Sequence, residues 1–143
     1  MPSVERPAMA DYGVPSDPDG ALPWSWASER LVRNRNYWVV TASASGRPHA
    51  LPVWGVWISD DDRSSFSCSP TARELRNVME NPQCAVTVDD TVACVSVEGR
   101  ARLVEPETDT AGVDRMVAAY VAKYWDDPSV QTKGLPLVVD AVL

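Results

Sequence analysis

Arg47-Pro48-His49-Ala50-Leu51-Pro52-Val53-Trp54-Gly55-Val56-Trp57 holds the chain's only histidine and two of its six tryptophans, and its reading decides the fold. Val53, Val56 and the following Ile58 favour extended backbone. The run is apolar on both faces, unlike a strand with one wet side, so both sides need cover. Pro52 cannot donate to a sheet ladder and Gly55 has no side chain to pack. Together they predict an interrupted strand whose backbone lies open to a neighbour or ligand. A small barrel bending at Gly55 meets these demands. So does a flat aromatic ligand lying along the backbone between Leu51 and Trp54, and the two readings are compatible.

Outward from this strand the pattern alternates between sheet and helix. Residues 37–44 read as a preceding strand, and Ser45-Gly46 is a hairpin signal that sets Arg47 and His49 at the start of the next. Before it, residues 24–36 read as a short amphipathic helix with Trp24, Ala27 and Leu31 on one face. Its Arg30 and Arg33 lie on another face, either solvated or positioned for an anion. Asp60-Asp61-Asp62 makes a turn into a hydroxyl-rich strand at residues 65–69. Thr71-Ala72-Arg73-Glu74 then has the spacing of a capping box. The helix it opens carries Leu75, Val78 and Met79 on one face and ends near Asn81-Pro82. A helix start after a Ser/Thr-rich strand end favours anions, with Arg73 and Arg76 as added charge. Residues 84–88 and 92–104 form a hairpin around Asp89-Asp90. Its second strand puts Val95, Val97, Ala101 and Leu103 on the core side and Ser96, Glu98, Arg100 and Arg102 in water. Val113, Met116, Val117, Tyr120, Val121 and Tyr124 repeat as the apolar stripe of a last helix packed on the sheet. Residues 135–143 read as a closing strand.

Composition bounds what such a chain does. At 143 residues it is one domain, small for enclosing a ligand unaided, so a second subunit is expected. Residues 1–23, with five of the twelve prolines and little periodicity, read as a flexible arm, and residues 24–143 as the folded domain. A net charge of −7 argues against nucleic acid as a partner. Cys68, Cys84 and Cys94 follow no CxxC spacing, so neither a disulfide framework nor a metal site is indicated. No leader pattern and no membrane-length apolar run are evident. The expectation is a soluble, cytoplasmic protein with no membrane partner.

Few residues offer chemistry of their own. His49 is the only imidazole, and no serine or cysteine stands in a G-x-S-x-G context, which sets hydrolysis aside. Phosphate-binding loops of the Rossmann or Walker type are absent. No catalytic residue can be assigned, and Cys68 reads as a buried, inert thiol.

The ordered set Tyr37-Trp38 with Thr41, Gly46 to His49, Pro52 to Trp57, Phe66-Ser67-Cys68-Ser69, Arg76-Asn77-Val78 with Asn81-Pro82, and Val97-Glu98-Gly99 resembles the pyridoxamine 5′-phosphate oxidase-like split-barrel proteins. The likeness is to their actinobacterial flavin- or deazaflavin-dependent branch, over roughly residues 24–124. It implies a mainly β, α+β fold, a six-stranded antiparallel split β-barrel of Greek-key type with peripheral helices. It also implies a homodimer with the cofactor at the interface. By position, His49, Leu51, Pro52, Val53 and Trp54 would neighbour the ring, and Ser67, Cys68, Ser69, Ala72, Arg73 and Asn77 the phosphate. The implied activity is an oxidoreductase moving a hydride between deazaflavin (F-420) or FMN and a small organic substrate. The acidic tail of F-420 would need cations such as Arg30, Arg33 or Arg47. Where many members carry a basic residue after the helix start, this chain has Glu74. That departure favours two other classes: a non-catalytic module for flavin, haem or another flat ligand, and a barrel that only dimerises.

Overall fold

Residues 5–88, 91–124 and 135–141 are described by the computed structural model, the last segment by its backbone. The expected turn at residues 89–90 and the end of the expected closing strand lie outside them. Helix α1 (Trp24–Arg33) precedes strands β1 (Asn36–Ala42), β2 (Pro48–Ile58) and β3 (Arg63–Cys68). Helix α2 (Arg73–Glu80) leads to β4 (Gln83–Val88) and β5 (Val95–Leu103), followed by α3 (Thr110–Tyr124) and β6 (Leu135–Ala141). Within residues 1–23, Ala10–Tyr12 form a single 3₁₀ turn, and Arg6 donates to the carbonyls of Asp17 and Asp19, both at 2.6 Å.

The fold is α+β. Strands β1 to β5 form a curled antiparallel sheet, ordered β3-β2-β1-β4-β5, and β6 pairs with both of its edges, β3 and β5, to close a barrel. The spatial order β4-β1-β2-β3 is a Greek key, with α2 in the connection from β3 to β4. Alternation supplies the core. Tyr37 and Val39 of β1, Val86 and Val88 of β4, and Val95, Val97 and Ala101 of β5 point inward with Trp57 and Phe66. Leu31 of α1 and Leu75 and Val78 of α2 join this core.

Strand β2 corrects the expectation of an interrupted strand, for it runs unbroken through both prolines and Gly55. Its partner β1 spans Pro48 to Trp54, whereas β3 pairs only with Gly55 to Ile58. Among the described residues, the first half of β2 therefore has a sheet neighbour on one side only. Pro48 and Pro52 are tolerated there because a free edge needs no ladder donor. Nor does the chain cover both faces. His49, Leu51 and Val53 are half-buried, while Pro48, Ala50, Pro52 and Trp54 are exposed.

Helix α3 lies against β2, but its buried stripe is narrower than expected. Met116, Tyr120 and Tyr124 pack on Val56, whereas Val117 and Val121 stay exposed. The reason is what meets the helix: its two buried tyrosines reach bare backbone, Tyr120 Oη donating to the Trp54 carbonyl at 2.8 Å and Tyr124 meeting Gly55. The Gly55 N–H donates to Tyr124 Oη at 3.2 Å, and its carbonyl accepts from Lys123 Nζ at 3.0 Å and Tyr124 Oη at 2.8 Å. Lys123 also donates to Tyr37 Oη at 2.9 Å, and that hydroxyl donates to the Leu31 carbonyl.

A Cβ at position 55 would sit 2.7 Å from Tyr37 Cδ2, inside contact distance of a buried ring. Gly55→Ala is expected to destabilise the fold by about 1–3 kcal/mol through overpacking, read as a lower denaturant midpoint with unchanged slope. A pH signature follows from the same node. Burial, reinforced by Arg35, pushes the Lys123 ammonium down to about 8 from its ordinary 10.5. Stability from a depressed group is complete above its ordinary value and is lost as pH falls through the folded value. Burial raises the Tyr37 and Tyr120 phenols instead, so their contribution is lost above the ordinary 10.0. The melting temperature is therefore expected to climb between about pH 8 and 10 and then fall. Lys123→Met should flatten the climb and leave the alkaline fall in place.

Candidate functional site

The hairpin joining β1 to β2 and the helix α2 face each other across a cleft. The hairpin is shaped by Gly46, whose φ of +83° is the left-handed conformation that glycine adopts without strain. The Ser43 hydroxyl accepts from the Arg47 N–H at 3.0 Å, and the Ser43 carbonyl accepts from the Asn81 side-chain amide at 3.3 Å. Asn81 follows α2, so this bond ties helix and hairpin together. On the buried side of α2, the Asn77 amide donates to the Thr41 hydroxyl at 2.9 Å, satisfying two polar groups inside the barrel.

The expected capping box is not formed. Ala72 is the N-cap of α2 and makes no side-chain cap bond, because its methyl cannot accept one. Thr71 lies one residue before the cap. Its hydroxyl pairs with that of Ser69 at 3.1 Å, and its N–H donates to the same Ser69 oxygen at 3.3 Å. Glu74 is thus the second helical residue, one position short of the reach the box requires. Its side chain turns inward, where the carboxylate lies 4.0 Å from His49 Nε2 and is 9% exposed.

The cleft encloses about 360 Å³ and is lined by Ser43, Arg47, Pro48 and His49 from the hairpin side and by Arg73, Arg76, Asn77 and Glu80 from α2. The four helical residues recur at i, i+3, i+4 and i+7, which places them on one face. Three guanidinium groups against one lining carboxylate make the cleft locally cationic in a chain of net charge −7. Arginine forks are suited to planar or tetrahedral oxyanions, and an amide and an imidazole add orienting hydrogen bonds.

Of the residues anticipated from the sequence, the cleft gathers His49, Arg73 and Asn77. Ser67 is half-buried, Ser69 is exposed in the turn before α2, and Ala72 is the N-cap; none of the three lines the cleft. Cys68 is buried, and burial, then the Glu74 carboxylate, pushes its thiol up to about 11, so it holds its proton at neutrality. Leu51 and Val53 pack against the core. Pro52 and Trp54 point to the other face, where Trp38, opposite Pro52 in the register, is 51% exposed and Trp54 40%. The five residues expected around a ring therefore occupy two faces of one strand. Ser43 and Glu80 escaped the sequence reading. A polar stripe at positions 73, 76, 77 and 80 was the signal available for the helix, whereas Ser43 had none until the hairpin closed. Among the described residues no three His, Cys, Asp or Glu side chains gather as a metal site, and no helix is long and apolar enough to cross a membrane.

The profile of the family described as pyridoxamine 5′-phosphate oxidase matches residues 27–140. Among solved structures, a FAD-binding protein from Mesorhizobium loti superposes with a TM-score of 0.66 at 15% identity, over 85% of this chain and 91% of that one. An F420 reductase gives 0.60 at 19% identity, over 81% and 93%. HutZ, the heme storage protein from Vibrio cholerae, gives 0.59 at 19% identity, over 84% and 87%. At such identities the likeness concerns the fold. No curated protein matches at the level of sequence.

Two substitutions separate structure from surface in this cleft. Asn77→Ala leaves the buried Thr41 hydroxyl without its partner and is expected to cost about 1–3 kcal/mol in urea unfolding. Arg76→Ala, at an exposed position of the same helix, is expected to stay within about 0.5 kcal/mol.

Proposed function

The chain belongs to the pyridoxamine 5′-phosphate oxidase family, and from that premise we propose that it is an oxidoreductase using FMN or the deazaflavin F-420 to move a hydride to or from a small organic substrate. The observation that carries this reading is the cationic cleft, with Arg47, Arg73 and Arg76 gathered on an otherwise acidic protein. Its donor set fits a phosphate ester: arginines for the charge, Asn77 and His49 for orientation. Glu74, which stood as a like-charged obstacle in the sequence, faces the interior. Pro48 belongs both to the cleft and to the exposed face of β2 that continues through Ala50, Pro52 and Trp54. A phosphate held in the cleft leaves that apolar face for the attached ring. The cofactor supplies the hydride chemistry, which accounts for the scarcity of acid and base residues in the chain.

In this proposal a second copy covers the same face and excludes water from the ring. Trp38, Pro52 and Trp54 form an exposed apolar surface of the kind that marks a contact with a partner or ligand. The homodimer is expected in light scattering at micromolar concentration, and Trp54→Arg, which places a charge on that face, is expected to shift it to monomer.

A second reading is kept because His49, half-buried in the cleft, offers one imidazole to a flat ligand: a non-catalytic haem- or flavin-binding protein of the same fold. The absorption spectrum of the purified protein and titrations with FMN, F-420 and haem distinguish the two. The oxidoreductase reading expects saturable binding of FMN or F-420 and salt-sensitive loss of affinity by about ten-fold or more in Arg73→Ala/Arg76→Ala, since a charge-assisted hydrogen bond contributes about 1.5–3 kcal/mol. Haem binding with a Soret band lost in His49→Ala, and no affinity for either flavin, would replace it with the second reading.

A further inference from the structure

A second cleft, of about 370 Å³, opens at the other end of β2 between Val32 of α1, Val56 and Trp57 of β2, and Ala119, Ala122 and Lys123 of α3. Val56 lies seven residues beyond His49, roughly 23 Å along an extended strand, so the two clefts are separate. This one differs in chemistry. Its walls are aliphatic and aromatic, and Lys123 is the one charged residue among them.

One donor there has capacity to spare. Lys123 Nζ bonds to Tyr37 Oη at 2.9 Å and to the Gly55 carbonyl at 3.0 Å, which uses two of the three N–H groups an ammonium carries. A cleft with one cationic donor and no acidic wall selects an anionic acceptor. Its volume is at the small end of ligand sites, roughly 300–1,000 Å³, and its apolar walls ask for a hydrocarbon body behind the acceptor.

We propose that this cleft is a binding site for a small amphiphilic carboxylate, whose head is held by Lys123 and whose apolar body lies against Val32, Val56, Ala119 and Ala122. The aromatic rings of Tyr37 and Tyr124, 4.7 and 5.5 Å from Lys123 Nζ, steady the ammonium without neutralising it. Nothing in the site depends on the cofactor assigned to the α2 cleft.

The test is calorimetric titration of the full chain with octanoate, octan-1-ol and octylammonium. Octanoate is expected to bind with one-to-one stoichiometry, about ten-fold or more tighter than the alcohol, and the cation not at all. Lys123→Met should abolish the preference for octanoate over octanol. Because Lys123 also supports Gly55, Ala122→Trp is included: it obstructs the cleft from an exposed helical position and should remove octanoate binding without lowering the melting temperature. Arg73→Ala/Arg76→Ala should bind octanoate as the parent does, which separates this site from the cofactor reading. Absence of octanoate binding at millimolar concentration, equal affinity for octanol, or binding unchanged in both Lys123→Met and Ala122→Trp would overturn the proposal.

Discussion

The bare backbone of Gly55 is the constraint on which the rest of the molecule depends. With no side chain there, the ring of Tyr37 packs directly over the strand, closer than any Cβ would permit. The same absence lets two residues of α3 reach the main chain, so the glycine N–H and carbonyl are met by a phenol and an ammonium. Through Tyr37 the arrangement extends to the carbonyl of Leu31 at the core end of α1. One missing methyl thus sets the position of two helices relative to the barrel, and it explains why α3 buries a tyrosine-rich stripe in place of its valines.

Much of the architecture was legible because it rests on period alone. The alternation in β5, the hairpin at Ser45-Gly46 and the existence of α3 were all written as spacing, and burial enforces spacing strongly. What escaped depended on partners distant in sequence. Pro52 read as an interruption because an edge and an interior strand look the same until their neighbours are known. The width of the α3 stripe was overestimated because valine and tyrosine both count as apolar, while the surface they meet includes polar backbone. The capping box failed through a one-residue shift of the helix start, which the turn bonds between Ser69 and Thr71 favour. For the cleft, His49, Arg73 and Asn77 were named through family resemblance, and the structure brings them together. The five residues expected around a ring lie on both faces of β2, because successive side chains of a strand point to opposite sides.

Charge distribution shows how an acidic chain retains a place for an anion. The three arginines of the first cleft come from the hairpin and from one face of α2, segments separated by more than twenty residues. Glu74, between them in sequence, is withdrawn to the interior beside His49. Local potential follows from which side chains share a cavity, and total charge governs the far field alone. The buried pairing of Asn77 with Thr41 holds this geometry without adding charge of its own.

The first half of β2 also bears on how the protein avoids aggregating. An exposed strand edge is a template on which a foreign segment can extend the sheet, the step that seeds amyloid-like stacking. Here the edge from Pro48 to Trp54 has lost two backbone donors to proline, four residues apart, within one of the most apolar runs of the chain. A strand docking there would meet a ladder with missing rungs. The two prolines that made this run look unfit to be a strand thus act as gatekeepers, letting it stay apolar on its face while its edge resists templated growth.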